Sequence, residues 1–310
     1  MRRLRTLPLL LLAILCVRTA HAQQEVMVSQ YMFNGLFLNP GYAGSHPYVS
    51  ASLLHRAQWM NVDGAPRTSM LAIDGPLLGE KMGVGFTLVN DRIGISHETE
   101  VAGEYAYRIR TGATGRLAFG LKAGIGVYSA NLNELVYWDA QDALYQQNIK
   151  NTVLGKFGFG LYWHDDRSFV GLSVPTLYAA DGALTSAVAS ALDHYYVQHY
   201  YLYAGHVFEL NESFDLKPSV LLKYQQQAPP EVDLNCNVLF RDRFWLGVGY
   251  RTGDAVVGMV EYQISPMFRL GYAYDMTTSK LSTYTSGTHE VMLGMSFGRD
   301  PIKIKTPRYF

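Results

Sequence analysis

The chain has 310 residues, enough for one large domain or two of ordinary size, and its 26 basic and 26 acidic residues give a formal net charge of zero. Its 22 Tyr, 14 Phe and 29 Gly, against only 17% charged residues, favour many strands joined by tight turns over a helical fold with a Lys- and Glu-rich surface. Because basic residues are not in excess, a nucleic-acid-binding protein is disfavoured.

Residues 1–22 have the features of a secretory signal peptide. A basic start precedes an apolar run from Leu7 to Val17, and Ala20-His21-Ala22 forms a small-x-small cleavage site. The run is too short for a membrane-spanning helix, which needs about 20 apolar residues. Cleavage would leave 22 basic against 26 acidic residues, and Cys236 as the single cysteine, which excludes a disulfide framework and a zinc-thiolate site.

Two segments flank the region of regular patterning. Residues 23–47 are apolar and aromatic but are interrupted by Gly and Pro, so they either plug the lumen of a barrel or form a periplasmic segment without a defined role. Residues 299–310 contain the basic, Pro-containing sequence PIKIKTPRYF, which predicts an extended periplasmic tail.

Residues 48–298 alternate between apolar and small or polar residues in a series of short segments. No segment after the signal peptide reaches 18 uninterrupted apolar residues, so an exported protein of this kind is either soluble or a β-barrel. The predicted strands are 48–60, 67–75, 81–90, 96–110, 115–131, 154–164, 167–174, 198–209, 213–225, 230–240, 242–251, 254–264, 266–276 and 288–298. Fourteen is an even number, as bacterial outer-membrane barrels require.

The two faces of these strands distinguish a membrane barrel from a soluble sandwich or propeller. In one strand Phe244-Leu246-Val248-Tyr250 alternates with Trp245-Gly247-Gly249-Arg251. Small residues opposite an apolar face suit a barrel wall that has lipid outside and crowded structure inside. The fold class predicted is all-β: a transmembrane outer-membrane β-barrel of about 14 antiparallel strands, with a soluble sandwich or propeller as the alternative.

The gaps between strands predict the orientation of the barrel. The long gaps 132–153, 175–197 and 277–287 all follow odd-numbered strands, whereas the gaps after even-numbered strands are short. Such barrels have short periplasmic turns and longer outer loops, so we expect the long gaps to face outside and both ends of the barrel chain to be periplasmic. The first two gaps are the predicted recognition surface.

The sequence contains no constellation of catalytic, cofactor-binding or metal-ligating residues at diagnostic spacing. The nine His form no ligand pair, and Asp165-Asp166 and the pair Asp139 and Asp142 lack the periodicity of a calcium loop, which indicates solvated turns. Residues that bind a partner stay unassigned. The charges predicted to line the lumen are Arg56, Lys81, Glu104, Arg108, Arg110, Arg116, Lys122, Lys156, Lys217, Lys223, Asp233, Arg251, Glu261, Arg269, Asp275 and Glu290, which we expect to neutralise one another.

Several stretches together resemble the PorP/SprF family, the outer-membrane proteins of the type IX secretion system, which is linked to gliding motility. They are SQYMFNGLFLNPGYAGS (29–45), RAQWMNVDGAPRTSML (56–71), GVGFTLVNDRIGISHETEVAGEYAYRIR (83–110), FGLKAGIGVYSANL (119–132), VGLSVPTL (170–177), LKPSVLLKY (216–224), DRFWLGVGYRTGDAVVGMVEYQISPMFRLGYAYDMTTSKL (242–281) and SGTHEVMLGMSFG (286–298). The resemblance covers nearly the whole chain after the signal peptide and departs from the family pattern at Gly35 and Gly41.

This resemblance implies a non-enzymatic barrel of the outer membrane, without a cofactor, that helps cargo proteins such as gliding adhesins to be secreted or attached to the surface. The implied partners are cargo proteins with C-terminal sorting domains, the periplasmic ring and translocon components of the secretion system, and outer-membrane lipid. The alternative is a channel for solutes or a transporter of hydrophobic ligands. An outer-membrane hydrolase is a third class, which no set of residues supports.

Overall fold

The computed structural model describes residues 26–77, 81–134, 148–180, 198–225 and 228–298. The strands are β1 (Val49–Ala57), β2 (Arg67–Leu77), β3 (Met82–Ile93), β4 (Ser96–Thr111), β5 (Gly115–Ala130), β6 (Ile149–His164), β7 (Ser168–Ala180), β8 (His199–His206), β9 (Phe208–Asn211), β10 (Phe214–Gln225), β11 (Glu231–Phe240), β12 (Phe244–Arg251), β13 (Ala255–Gln263), β14 (Phe268–Thr277) and β15 (Thr288–Phe297). The helical pieces in these ranges are short 3-10 turns, and none has the length and apolar character needed to cross a membrane.

The strands form one closed antiparallel barrel. Strands that follow one another in the chain pair, except for β8 and β9, and the sheet closes because β1 also pairs with β15. Strands β8 and β9 both pair with β10 and make a single wall strand, which is interrupted at Val207. The wall therefore has fourteen strands within the described residues, and the predicted all-β barrel of about 14 antiparallel strands is confirmed.

The two largest errors in the predicted strand boundaries lie at irregularities of the ladder. Strand β6 begins at Ile149 rather than at 154, because a bulge at the polar residues Lys150 and Asn151, beyond the pair of Tyr128 and Thr152, lets the pairing resume between Ile149 and Ala130. Strand β7 runs to Ala180 rather than ending at 174, although Pro175 reads as a strand end. The register shifts opposite that proline, next to Gly158, so the ladder resumes beyond it.

The barrel has two ends, which differ in their connections. The end that we call the loop end carries the connecting residues 58–66, 94–95, 131–134, 252–254 and 278–287, and the tight-turn end carries 112–114, 165–167, 212–213, 241–243 and 264–267. Residues 135–147 and 181–197, which make up most of the two predicted outer loops, lie outside the described residues. The predicted signal peptide, 1–22, and the tail, 299–310, also lie outside them.

The wall has an apolar outer face and a polar inner face. Leu121, Leu246 and Val248 are 59%, 58% and 64% exposed in the isolated chain, which is the exposure expected of side chains whose natural neighbour is lipid. On the opposite phase Trp245 and Arg251 are buried inside the barrel. The barrel is therefore built with its apolar face outward, as membrane barrels are and soluble proteins are not.

Candidate functional site: the filled interior of the barrel

Residues 26–46, which we call the interior segment, cross the barrel from one end to the other. The segment starts beside residues near the loop end, descends through three 3-10 turns (Tyr31–Phe33, Gly35–Phe37 and Pro40–Tyr42), and leads into β1 at the tight-turn end. Asn34 and Asn39 each accept a hydrogen bond from a backbone N–H of the turn that follows, so these two asparagines fix the starts of the second and third turns. The segment thus has a defined, locally capped path.

The upper part of the segment is held by an ion pair from the wall. The backbone N–H groups of Ser29 and Gln30 donate 2.8 Å hydrogen bonds to the two carboxylate oxygens of Glu290. Arg56 donates to the same carboxylate over 2.9 Å and to Asp275 over 2.8 Å. The Ser29 hydroxyl donates to Asp275 over 2.8 Å. All these groups are buried, so each charge has a partner where water does not reach.

This ion pair is part of a larger network that spans β1 and β10 to β15. Arg251 contacts Asp233 and Asp275, each over 3.2 Å, and Lys223 contacts Asp233 over 2.9 Å. The anchor cluster, as we call it, comprises Ser29, Gln30, Arg56, Lys223, Glu231, Asp233, Arg251, Asp254, Asp275 and Glu290. Its carboxylates outnumber its cations, so donors from the interior segment complete the compensation of charge.

The middle of the segment lies against a buried lysine. The ammonium group of Lys217 donates a 3.2 Å hydrogen bond to the carbonyl of Met32. The same group lies 5.4 to 5.9 Å from the ring centres of Phe33, Phe169 and Trp245. Aromatic faces attract a cation at this range, and the attraction is stronger when water is excluded. Lys217 therefore joins the segment to the walls on both sides of it.

The lower part of the segment is fixed through backbone groups. The side-chain amide of Asn39 donates a 2.8 Å hydrogen bond to a backbone carbonyl of β6, and the hydroxyl of Ser173 donates over 2.5 Å to the carbonyl of Leu38. Near the tight-turn end, the N–H of Gly44 donates over 2.7 Å to the buried carboxylate of Asp74. The polar backbone of an irregular segment is thereby satisfied inside the barrel, which is what lets such a segment lie at membrane depth.

Glycines in the wall make room for the segment. A Cβ atom on Gly120 would overlap the backbone of Pro40 and Gly41, and one on Gly160 would overlap the side chain of Asn39. These glycines lie on the inward phase of β5 and β6. The sequence analysis interprets small residues on this phase as facing crowded structure inside the barrel. A wall built with larger inward side chains there could not hold the segment in this position.

Tyrosines fill the space beside the lower part of the segment. The ring centre of Tyr162 lies 5.5 Å from that of Tyr42 and 6.2 Å from that of Tyr203, and the Tyr42 hydroxyl lies 2.7 Å from Nε2 of His46. All four side chains are buried. The interior near the tight-turn end is therefore packed with rings and does not form a polar passage at these residues.

A second polar cluster lies on β4, β5 and β6, towards the loop end. Glu100 contacts Lys122 over 2.5 Å and Lys156 over 2.6 Å, and Lys156 also pairs with Glu98. These inward-facing charges compensate one another within the wall, as the sequence analysis expects of lumen charges.

The predicted lumen charges are placed inside with two exceptions. Lys81 and Arg110 share the inward phase but are exposed, because each lies at the tight-turn end of its strand, where a side chain on the inner face still reaches solvent. The other fourteen are buried or half-buried. Sequence reasoning missed Asp74, Glu98 and Glu100, although all three share the phase of inward-facing neighbours. Within the described ranges, no group of three His, Cys, Asp or Glu side chains could hold a metal ion.

Residues 20–295 match the family model described as type IX secretion system membrane protein PorP/SprF. The toluene transporter TbuX of Ralstonia pickettii has a similar structure, with a TM-score of 0.50 at 9% identity over 86% of this chain and 92% of TbuX. Omp33 of Acinetobacter baumannii gives a TM-score of 0.46 at 9% identity over 82% of this chain and 100% of Omp33. None of the curated proteins matches the sequence.

Proposed function

Because the chain belongs to the PorP/SprF family of type IX secretion system membrane proteins, we propose that it serves that system as a non-enzymatic barrel of the outer membrane, which helps cargo proteins to be secreted or attached to the cell surface. The cargo would be proteins with C-terminal sorting domains, including gliding adhesins. Residues 1–22 would direct export and be removed.

The observation that carries this proposal is the filled interior. The interior segment is hydrogen-bonded to the wall near the loop end through Glu290, in the middle through Lys217, and near the tight-turn end through Asp74. A diffusion channel needs a continuous aqueous path, whereas a barrel filled by its own chain offers partners mainly its ends and its outer face. We therefore infer that the segment acts as a lasting plug, and that the barrel works as a docking platform.

The two ends have different roles in this proposal. The loop end faces the cell exterior, and residues 132–153 and 175–197, most of which lie outside the described residues, supply the surface that recognises cargo. The tight-turn end and the tail, 299–310, face the periplasm and the ring and translocon components. Biotinylation of intact cells tests this orientation: introduced lysines should react in 132–153 and not in 112–114, and the opposite pattern would reverse the barrel.

Deletion of the gene tests the function. We expect surface display of at least one cargo adhesin to be lost while uptake of small solutes is unchanged, and a plasmid copy should restore display. The purified protein should show no stable conductance in planar bilayers. Normal cargo display in the deletion strain would overturn the secretion role, and stable conductance would favour the alternative of a solute channel.

A further inference from the structure

The lipid-facing side of the wall carries two arginines, at neighbouring positions. Apart from Lys150, which lies in the bulge of β6, Arg67 on β2 and Arg92 on β3 are the only outward-facing positions of the described strands that are occupied by Asp, Glu, Lys or Arg. Both lie at the loop end, where a charge on the outer face costs little because it reaches the membrane interface. Arg67 and Arg92 are the only two such charges on adjacent, directly paired positions of this face, and this juxtaposition calls for a local explanation.

The two guanidinium groups lie side by side without a compensating acid. Arg67 and Arg92 are direct partners in the register of β2 and β3, and both are exposed. Like charges in this relation destabilise a sheet. Neither guanidinium has a hydrogen bond or ion pair to any residue that the structure describes. Asp91, the nearest acid along β3, faces inward and accepts a 2.5 Å hydrogen bond from Thr68. An anion from outside the chain would relieve the repulsion.

The arginines line a cavity of about 290 Å³, formed where one turn folds over another. The rest of its lining comes from residues 58–65 and Gly94. The N–H of Gly94 donates a 2.8 Å hydrogen bond to the carbonyl of Gly64, which holds the two turns together. Asp63 is the one carboxylate in this lining, and it lies in the exposed turn and not on the wall. The cavity is large enough to hold a phosphate group between the two arginines.

From the arginines towards the middle of the wall, the outward side chains change from basic to neutral polar to apolar. A lipid changes in the same order from its headgroup to its acyl chains. The first row of cross-strand partners is Arg67, Arg92 and His97, the second is Ser69, Asn90 and Thr99, the third is Leu71, Leu88 and Val101, and the fourth includes Ile73 and Phe86. The rows are thus basic, neutral polar, apolar and apolar. A phosphate, its polar linkage and its acyl chains would meet matching side chains along this path.

We propose that Arg67 and Arg92 form a binding site for a phosphate group of an outer-leaflet glycolipid of the lipid A type. Arginine suits this role because its planar fork binds phosphate oxygens through two parallel hydrogen bonds. The orientation proposed above places the loop end at the cell exterior, so a site at this end would meet lipids of the outer leaflet. The second cross-strand arginine pair, Arg110 and Arg116, lies at the tight-turn end on the inward phase and so does not face lipid.

The test is lipid binding by the purified full-length protein, measured by native mass spectrometry. The probes are diphosphoryl lipid A, dephosphorylated lipid A, phosphatidylglycerol and inorganic phosphate. We expect the unchanged protein to prefer diphosphoryl lipid A, and R67Q together with R92Q to weaken that binding about tenfold or more, because two charge-assisted contacts are lost. The variant Arg92→Lys should retain part of the affinity, since the charge remains and the fork is lost.

The matched control is R110Q together with R116Q, which removes the same charge at the other end and should leave lipid A binding unchanged. Heat-modifiable electrophoretic mobility establishes that each variant is folded, and the Arg92→Lys variant keeps the test decisive if the double variant does not fold. Equal binding of dephosphorylated lipid A, or equal loss in both double variants, would overturn the site. If phosphatidylglycerol bound as tightly as diphosphoryl lipid A, the assignment to an outer-leaflet glycolipid would be overturned. If millimolar inorganic phosphate displaced lipid A, the site would be one for a free anion and not for a lipid.

Discussion

Arg56 on β1 and Asp275 on β14 form an ion pair of 2.8 Å with both side chains almost completely buried. The same guanidinium reaches Glu290, which also holds the backbone of the interior segment. One wall arginine therefore links the closure of the barrel between β14, β15 and β1 to the position of the segment inside it. Loss of this arginine would leave two buried carboxylates without their main counter-charge.

From this relation we predict that Arg56→Met destabilises the barrel by about 3–5 kcal/mol, since an uncompensated buried charge is much more costly than the loss of an exposed pair. Urea unfolding of the protein in lipid vesicles, followed by tryptophan fluorescence, measures the change. The matched control is Arg167→Met, which removes an exposed ion pair with Glu209 and should cost less than about 1 kcal/mol. Equal losses in both variants would contradict the anchoring role of Arg56.

A second prediction concerns the glycines of the wall. Gly120→Ala places a methyl group against the backbone of the interior segment and should cost about 1–3 kcal/mol, as overpacking does in a filled core. The control is Gly103→Ala, on the outward face of β4, where nothing lies within 4 Å of the added atom and the change should stay within about 0.5 kcal/mol. Thermal unfolding monitored by electrophoretic mobility compares them, and equal stability would argue against close packing at Gly120.

The strands of the wall could be predicted from the sequence because side chains of a barrel strand alternate strictly between the outer and the inner face. Leu246 and Trp245 sit on opposite phases, and the structure places one outside and the other inside. The same regularity extends through β1 to β15, so fourteen wall strands could be counted before any contact was known. Pairing irregularities hid the start of β6 and the end of β7, because Asn151 and Pro175 resemble residues that end strands.

The path of the interior segment could not be predicted in this way. Residues 26–46 have no repeating pattern, and their position depends on partners far away in the chain: Gln30 and Glu290 are 260 positions apart. The alternation of β15 predicts that Glu290 faces inward, but it contains no information about which group Glu290 will meet. The composition of residues 23–47 therefore left a plug and a periplasmic segment open as alternatives.

A third prediction uses Cys236, which is exposed on the outer face of β11 opposite Val248. A nitroxide label at this position should be relaxed by molecular oxygen more than by a water-soluble nickel chelate, because oxygen concentrates in lipid. Electron paramagnetic resonance of the labelled protein in vesicles measures both. The control carries the label at Glu212→Cys, in the exposed turn 212–213, with Cys236→Ala, and there the nickel chelate should relax the label more than oxygen does. If nickel relaxation were dominant at Cys236, β11 would face water and not lipid.

The last prediction distinguishes a lasting plug from a gate that opens. The amide of Asn34 in the interior segment contacts the hydroxyl of Ser52 on β1, so we expect cysteines introduced at these two positions to form a disulfide on oxidation. With Cys236 replaced by Ala, the oxidised pair N34C and S52C should display cargo on the cell surface as well as the reduced pair does, because the proposed plug stays in place during function.

The single variant N34C under the same oxidation controls for loss of the asparagine cap and for the oxidant itself. Protease protection and electrophoretic mobility establish that the joined protein is folded in the outer membrane. If oxidation abolished cargo display and reduction restored it, the segment would have to leave its position for function, and the filled barrel would be the resting state of a channel rather than a fixed docking platform.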